Sequence, residues 1–199
     1  MNLLLTSSFP QKDNTLIVDY LKKQSDNLKI LYIGYTSNAE KYSRKVIDYG
    51  FSYVDFLNIT KGFKSEELVE YDVFSLHGGN PYSIKSKIIK SNFDDFLRST
   101  KGMIITTSGS TLVVSKSYDI IRILYPKMKM IDTKGLNLFP FNVIPHYQRY
   151  KKQENDIINY MKEKTLYTIP DGSAIAYNGE NIELIGNVGV KTINKTKEV

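Results

Sequence analysis

The stretch "GMIITTSGSTLVVS", residues 102–115, decides how this chain folds. An apolar run ends in Thr106, Thr107, Ser108, Gly109 and Ser110, and apolar residues resume at Leu112. That order reads as a buried strand turning sharply into a helix, and in many hydrolases such a turn carries the nucleophile. Fold and chemistry therefore meet at one corner. The question is which hydroxyl, if any, stands on it.

Working outward, "LKILYIGY" at 28–35 is a nearly continuous apolar run with a glycine near its end, which suits a central parallel strand buried on both faces. Before it, residues 2–6 form a short apolar strand, followed by a helix capped by Asp13 or Asn14 with Leu16, Ile17, Tyr20 and Leu21 on one face. After it come a helix around "EKYSRKVIDYG", a strand at 53–59, the strand and loop "DVFSLHGGN" at 72–80, and a helix near 82–98. Strands alternating with helices at this spacing predict a three-layer α/β fold, its mostly parallel central sheet covered by helices on both faces. The last third changes character. "LNLFPFNVIPH" at 136–146 is extended but carries two prolines, so it is no ordinary central strand. A helix near 152–163 precedes "TLYTIPDGSAIAYNGENIELIG", which reads as a C-terminal β-hairpin with Asn178 and Gly179 supplying positive backbone angles. Without a repeat, linker or low-complexity segment, residues 1–199 read as a single domain.

Composition excludes whole reaction classes. There are no cysteines, which removes disulfides, thiolate metal sites and cysteine nucleophiles. Only two histidines occur, His77 and His146, with no ligand-type spacing, so no metal or other cofactor is expected. The net charge of +6 comes from scattered lysines. The densest basic and aromatic patch, "HYQRYKK" at 146–152, reads as a solvated helix start rather than a nucleic-acid surface, because no nucleic-acid module accompanies it. No basic leader precedes an apolar core at the start, and no run of about 18 apolar residues occurs, so a cytoplasmic protein without membrane spans is expected.

Ligands of open α/β sheets bind where loops leave the carboxyl ends of the strands. Three such places carry suggestive residues. In "HGGN", 77–80, two glycines let the backbone approach a ligand and aim amides at a developing negative charge, or else make a plain tight turn. In "TTSGS", a hydroxyl on a strained corner could attack a carbonyl, or else cap a helix. His146, fixed by the proline-containing run before it, is a candidate general base.

With these residues in place the sequence resembles the peptidase E (aspartyl dipeptidase) family of serine peptidases, related to cyanophycinases, whose fold is similar to flavodoxin and the class I glutamine amidotransferases. "MNLLLTSS" resembles the family's first strand, "HGGNPYSI" its GGNTxxL loop, "TSGSTLVV" its nucleophile turn, "GLNLFPFNVIPHY" its LNLFP to PH segment, and "YTIPDGSAI" its LPEGxxI hairpin. The resemblance implies acyl transfer on short peptides, including Asp-X dipeptides; a monomer or homodimer without a nucleic-acid partner is expected. Matching Gly109 to the family glycine puts Thr107 at the nucleophile position; sliding by one residue makes it Ser108. His146 is then the base, and the amides of Gly79 and Ser108 form the oxyanion hole. Gly78, Asn80 and Arg149 fall at substrate-binding positions. An acid is implied between nucleophile and histidine, within "YPKMKM", which holds no carboxylate; Asp119, Asp132 and Asp171 remain as alternatives. The other reading is a catalytically silent relative that binds a small peptide, an amino acid or a protein partner.

Overall fold

The computed structural model describes residues 1–10, 14–25, 27–127, 132–161 and 165–192. Asp13 and the "MKM" of "YPKMKM" lie outside the described residues. In chain order, β1 (Asn2–Thr6), α1 (Thr15–Gln24), β2 (Lys29–Gly34), α2 (Glu40–Ile47), β3 (Tyr53–Asn58) and β4 (Val73–Leu76) establish the alternation. Next come α3 (Pro81–Lys90), α4 (Phe93–Ser99), β5 (Met103–Thr107), α5 (Gly109–Val114) and α6 (Ile121–Leu124). The single helix expected near 82–98 is two, because Asn92 adopts a left-handed conformation between α3 and α4. The chain ends with β6 (Asn142–Pro145), α7 (Glu154–Met161), β7 (Thr165–Ile169), β8 (Ala174–Tyr177), β9 (Ile182–Ile185) and β10 (Gly189–Thr192).

Seven strands form the main sheet in the order β3-β2-β4-β5-β1-β8-β9. The first five run parallel, and β8 runs against its two neighbours, β1 and β9. Period-two alternation assigns the faces. Leu3, Leu5, Leu31, Ile33, Phe74 and Ile104 join a core under α3 to α6, whereas Leu4, Ile30, Tyr32, Val73 and Ile105 join one under α1 and α2. Both faces are covered, which is why these strands read as apolar runs.

The expected hairpin is β8–β9, in the main sheet. Its turn is built differently from expectation: Gly179 has the positive φ, but Asn178 instead accepts the amides of Glu180 and Asn181 through its side chain. A second sheet, β10-β7-β6, was not expected. Its β6 carries Pro145 and lies at an edge, where a missing amide costs no ladder bond.

The segment between α6 and β6 is fastened to the end of α5. Leu136 donates to Val113 O, and Leu138 and Phe139 donate to Val114 O. A β-carbon on Gly135 would lie 1.7 Å from Ser115 O, so only glycine lets the strap run this close. Phe139, fully buried, packs edge-on against Phe141, Tyr167 and Tyr177 at 5.3–5.5 Å between ring centroids. Phe139→Ala is expected to cost about 3–5 kcal/mol in urea unfolding. A loss below about 1 kcal/mol would show that this segment does not anchor the second sheet to the first.

Candidate active site

The carboxyl ends of β4, β5 and β1 are neighbours in the sheet, and three loops leave them together. The corner after β5 belongs to Ser108, with φ 54° and ψ −112°. A non-glycine residue held there costs on the order of 1–3 kcal/mol, and such outliers gather at functional sites. An unbranched serine tolerates the corner better than threonine, whose second Cβ substituent restricts rotation.

The other hydroxyls of the run serve the backbone. Thr107, the expected nucleophile, is the last strand residue, and its Oγ1 donates to Phe9 O at 2.9 Å. Ser110 Oγ accepts the Thr107 amide at 2.7 Å and lies in donating range of Leu76 O and Thr107 O. Thr111 Oγ1 donates to Thr6 O, and Thr6 Oγ1 to Thr106 O. The Ser108 amide also donates to Thr6 O, at 3.2 Å. That amide, expected in an oxyanion hole, is thus already engaged by the neighbouring strand. Gly109, the first residue of α5, has an amide without an intrahelical partner.

Across the corner runs the loop 77–80. A β-carbon on Gly109 would sit 1.8 Å from Gly79 O, so the two backbones touch. Gly79 has φ 135°, a conformation suited to glycine. Gly78 lies against Thr107 and Ser108: a β-carbon there would come 3.0 Å from Thr107 O. Asn80 caps α3, accepting the Ser83 amide at 3.1 Å, with Pro81 following it in the first turn. His77 does not line the cavity that Ser108 and His146 share. Its Nδ1 bonds Tyr32 OH at 2.8 Å and its ring lies 4.8 Å from that of Tyr42, which together with burial fixes the root of the loop. Burial, with the Lys41 ammonium nearby, pushes the His77 pKa down.

His146 comes from the other side, in a left-handed conformation just past β6. Its amide donates to Ser7 Oγ at 2.9 Å, and that hydroxyl donates to Ile169 O. Its ring Nδ1 lies 2.5 Å from Asp171 Oδ1. Asp171 is further bonded by Gln148 Nε2 and by Arg149 at 3.3 Å. Of the three alternative acids, Asp171 is the one in contact with His146, and it follows the histidine in the chain. Burial holds the His146 pKa below its ordinary 6.5, against an upward pull from Asp171.

Ser108, Gly79, Asn80, Gly109, His146 and Arg149 line one cavity of about 240 Å³. Thr107 does not line it. Ser108 and His146 face this space without a hydrogen bond between them, a bond that in such sites commonly tightens only around substrate. Sequence reasoning missed Ser7, Phe9 and Gln148; the only signal, for Ser7, was the density of hydroxyls in "TSS". Among the described residues no group of three His, Asp or Glu could hold a metal, and no helix is long and apolar enough to cross a membrane. Gly109→Ala tests the backbone contact: the added methyl must displace Gly79, so activity on any cleaved substrate should fall about 10²–10³-fold, the scale of one lost oxyanion donor. Unchanged activity would remove Gly79 from the site.

Comparison with known proteins bears on this arrangement. The model of peptidase family S51 matches residues 3–185. Among solved structures, a candidate peptidase E protein from Listeria monocytogenes EGD-e superposes with a TM-score of 0.69 at 21% identity, covering 97% of this chain and 98% of that one, a likeness of fold. No curated protein matches the sequence significantly. With nearly the whole chain matched by the family model, from the first strand through the hairpin, the protein belongs to peptidase family S51.

Proposed function

We propose that the chain is a serine peptidase that cleaves short peptides by acyl transfer, with Ser108 in place of the Thr107 expected from the glycine register. The observation that carries this reading is the position of Ser108 on the strained corner, lining one cavity with His146, whose other ring nitrogen is held by a carboxylate. With Nδ1–H donating to Asp171, the neutral imidazole leaves Nε2 free as the base. His146 takes the proton from Ser108, Oγ bonds the peptide carbonyl carbon, and the carbonyl oxygen becomes an oxyanion beside the Gly79 and Gly109 amides. Collapse breaks the C–N bond while His146 returns the proton to the leaving amine. Water then repeats the cycle to free the carboxylate. The volume, below the about 300–1,000 Å³ of drug-sized sites, suits one or two residues rather than a polypeptide.

A dipeptide panel tests the assignment. Ser108→Ala and His146→Ala should lose about 10⁴–10⁶ in kcat, and Asp171→Asn about 10⁴. Thr107→Val should keep activity within about tenfold while costing about 1–3 kcal/mol, because Phe9 O loses its donor. If Thr107→Val is dead and Ser108→Ala is not, the nucleophile is Thr107. If the wild type cleaves nothing, the protein is the silent relative. The neutral imidazole is the active form and its pKa is lowered, so kcat/KM should rise with pH through a value below 6.5 and be level at neutrality. An acid limb centred above pH 7 would contradict this role for His146.

A further inference from the structure

The cavity beside Ser108 is walled by Leu112, Ile121, Leu124, Pro81 and Pro145, all buried. Several of its polar groups are already engaged: Asn80 Oδ1 accepts the Ser83 amide, and His146 Nδ1 is held by Asp171. The Tyr125 and Tyr150 hydroxyls are hydrogen-bonded together. Arg149, the only cation lining the cavity among the described residues, is paired with Asp171 at 3.3 Å. We propose that this site selects short peptides whose side chain beside the scissile carbonyl is aliphatic or aromatic, and disfavours an acidic one.

The reasoning is electrostatic as well as hydrophobic, and it rests on the serine-peptidase reading of the same cavity. A substrate carboxylate would lose water on entering a predominantly apolar cleft, and the one cation lining it among the described residues is Arg149. To take Arg149 it must compete with Asp171, a carboxylate already positioned on His146. Like charges would then converge on one guanidinium, at the place where His146 needs its partner. An apolar side chain meets no such conflict. It removes surface from water against Leu112, Ile121 and Leu124, and an aromatic ring additionally meets the Tyr125 and Tyr150 rings, themselves edge to face at 5.9 Å. A cavity of about 150 Å³ lined by such residues suffices for benzene, so one of 240 Å³ admits a leucine or phenylalanine side chain.

The experiment compares Leu-Gly, Phe-Gly and Asp-Gly by kcat/KM on the wild-type chain, and by calorimetric affinity on Ser108→Ala, which retains the cavity without the attacking oxygen. Leu-Gly and Phe-Gly should exceed Asp-Gly by at least about tenfold in both readouts. Tyr125→Arg, at the exposed rim of the cavity, adds an unpaired cation and should narrow that ratio by about tenfold or more. Cleavage of Asp-Gly as fast as Leu-Gly overturns the proposal while leaving the peptidase reading intact. Absent cleavage with the apolar order preserved in binding overturns catalysis and keeps the selectivity. No cleavage and no binding of any of the three at millimolar concentration overturns both.

Discussion

The site depends on one contact between two backbones: Gly79 O occupies the space that a β-carbon of Gly109 would need. Because β4 and β5 are adjacent parallel strands, their carboxyl ends deliver the loop 77–80 and the corner 107–109 to the same place. The glycine loop can lie flat on the start of α5 only if no side chain intervenes. Once it does, the chain leaving β5 must reverse within a single residue, and Ser108 takes the φ and ψ that the reversal demands. The strained serine is thus a consequence of close packing below it, and the packing is what presents its hydroxyl to the cavity.

A second dependency runs through the turn after β1. Thr6 O takes the Ser108 amide and the Thr111 hydroxyl, Phe9 O takes the Thr107 hydroxyl, and Ser7 takes the His146 amide. One short segment therefore holds both the corner and the histidine in register, although they are far apart in sequence. Buried hydroxyls are suited to this, since each satisfies a backbone group that water cannot reach. The serine and threonine density that first suggests chemistry is mostly structural, and a single hydroxyl stands apart from it.

That distinction was legible in the sequence only in part. The five parallel strands and the helices between them follow from apolar runs and glycine or polar stops, because two-sided burial leaves a strong pattern. The sheet of β6, β7 and β10 left none: β6 is four residues with a proline, and its parallel pairing with β7 is non-local, set by tertiary packing rather than by any turn. The histidine was readable from its rigid approach through Phe139 and Pro145. Matching Gly109 on identity put Thr107 at the corner, whereas the residue that makes the reversal is Ser108, a matter of φ and ψ that identity does not carry. Asp171 could be named only as one of three acids, since sequence does not encode which carboxylate the folded chain brings to an imidazole.

Asp171 itself sits at the crossing of the two sheets, in the loop that leaves β7 in one and enters β8 in the other. Its three side-chain partners, His146, Gln148 and Arg149, all come from the start of one 3₁₀ turn. A lone carboxylate against a buried imidazole would favour the protonated ring and blunt it as a base. Here Arg149 takes part of the carboxylate's field, Gln148 fixes its orientation, and the cost of burying a charge prevails, so the imidazole is held toward its neutral form. The same pairing leaves the cavity without a surplus positive charge. Burial is the first cause of the neutral ring at His146, and the engagement of Arg149 by Asp171 adds to it while leaving the cavity without an unpaired cation.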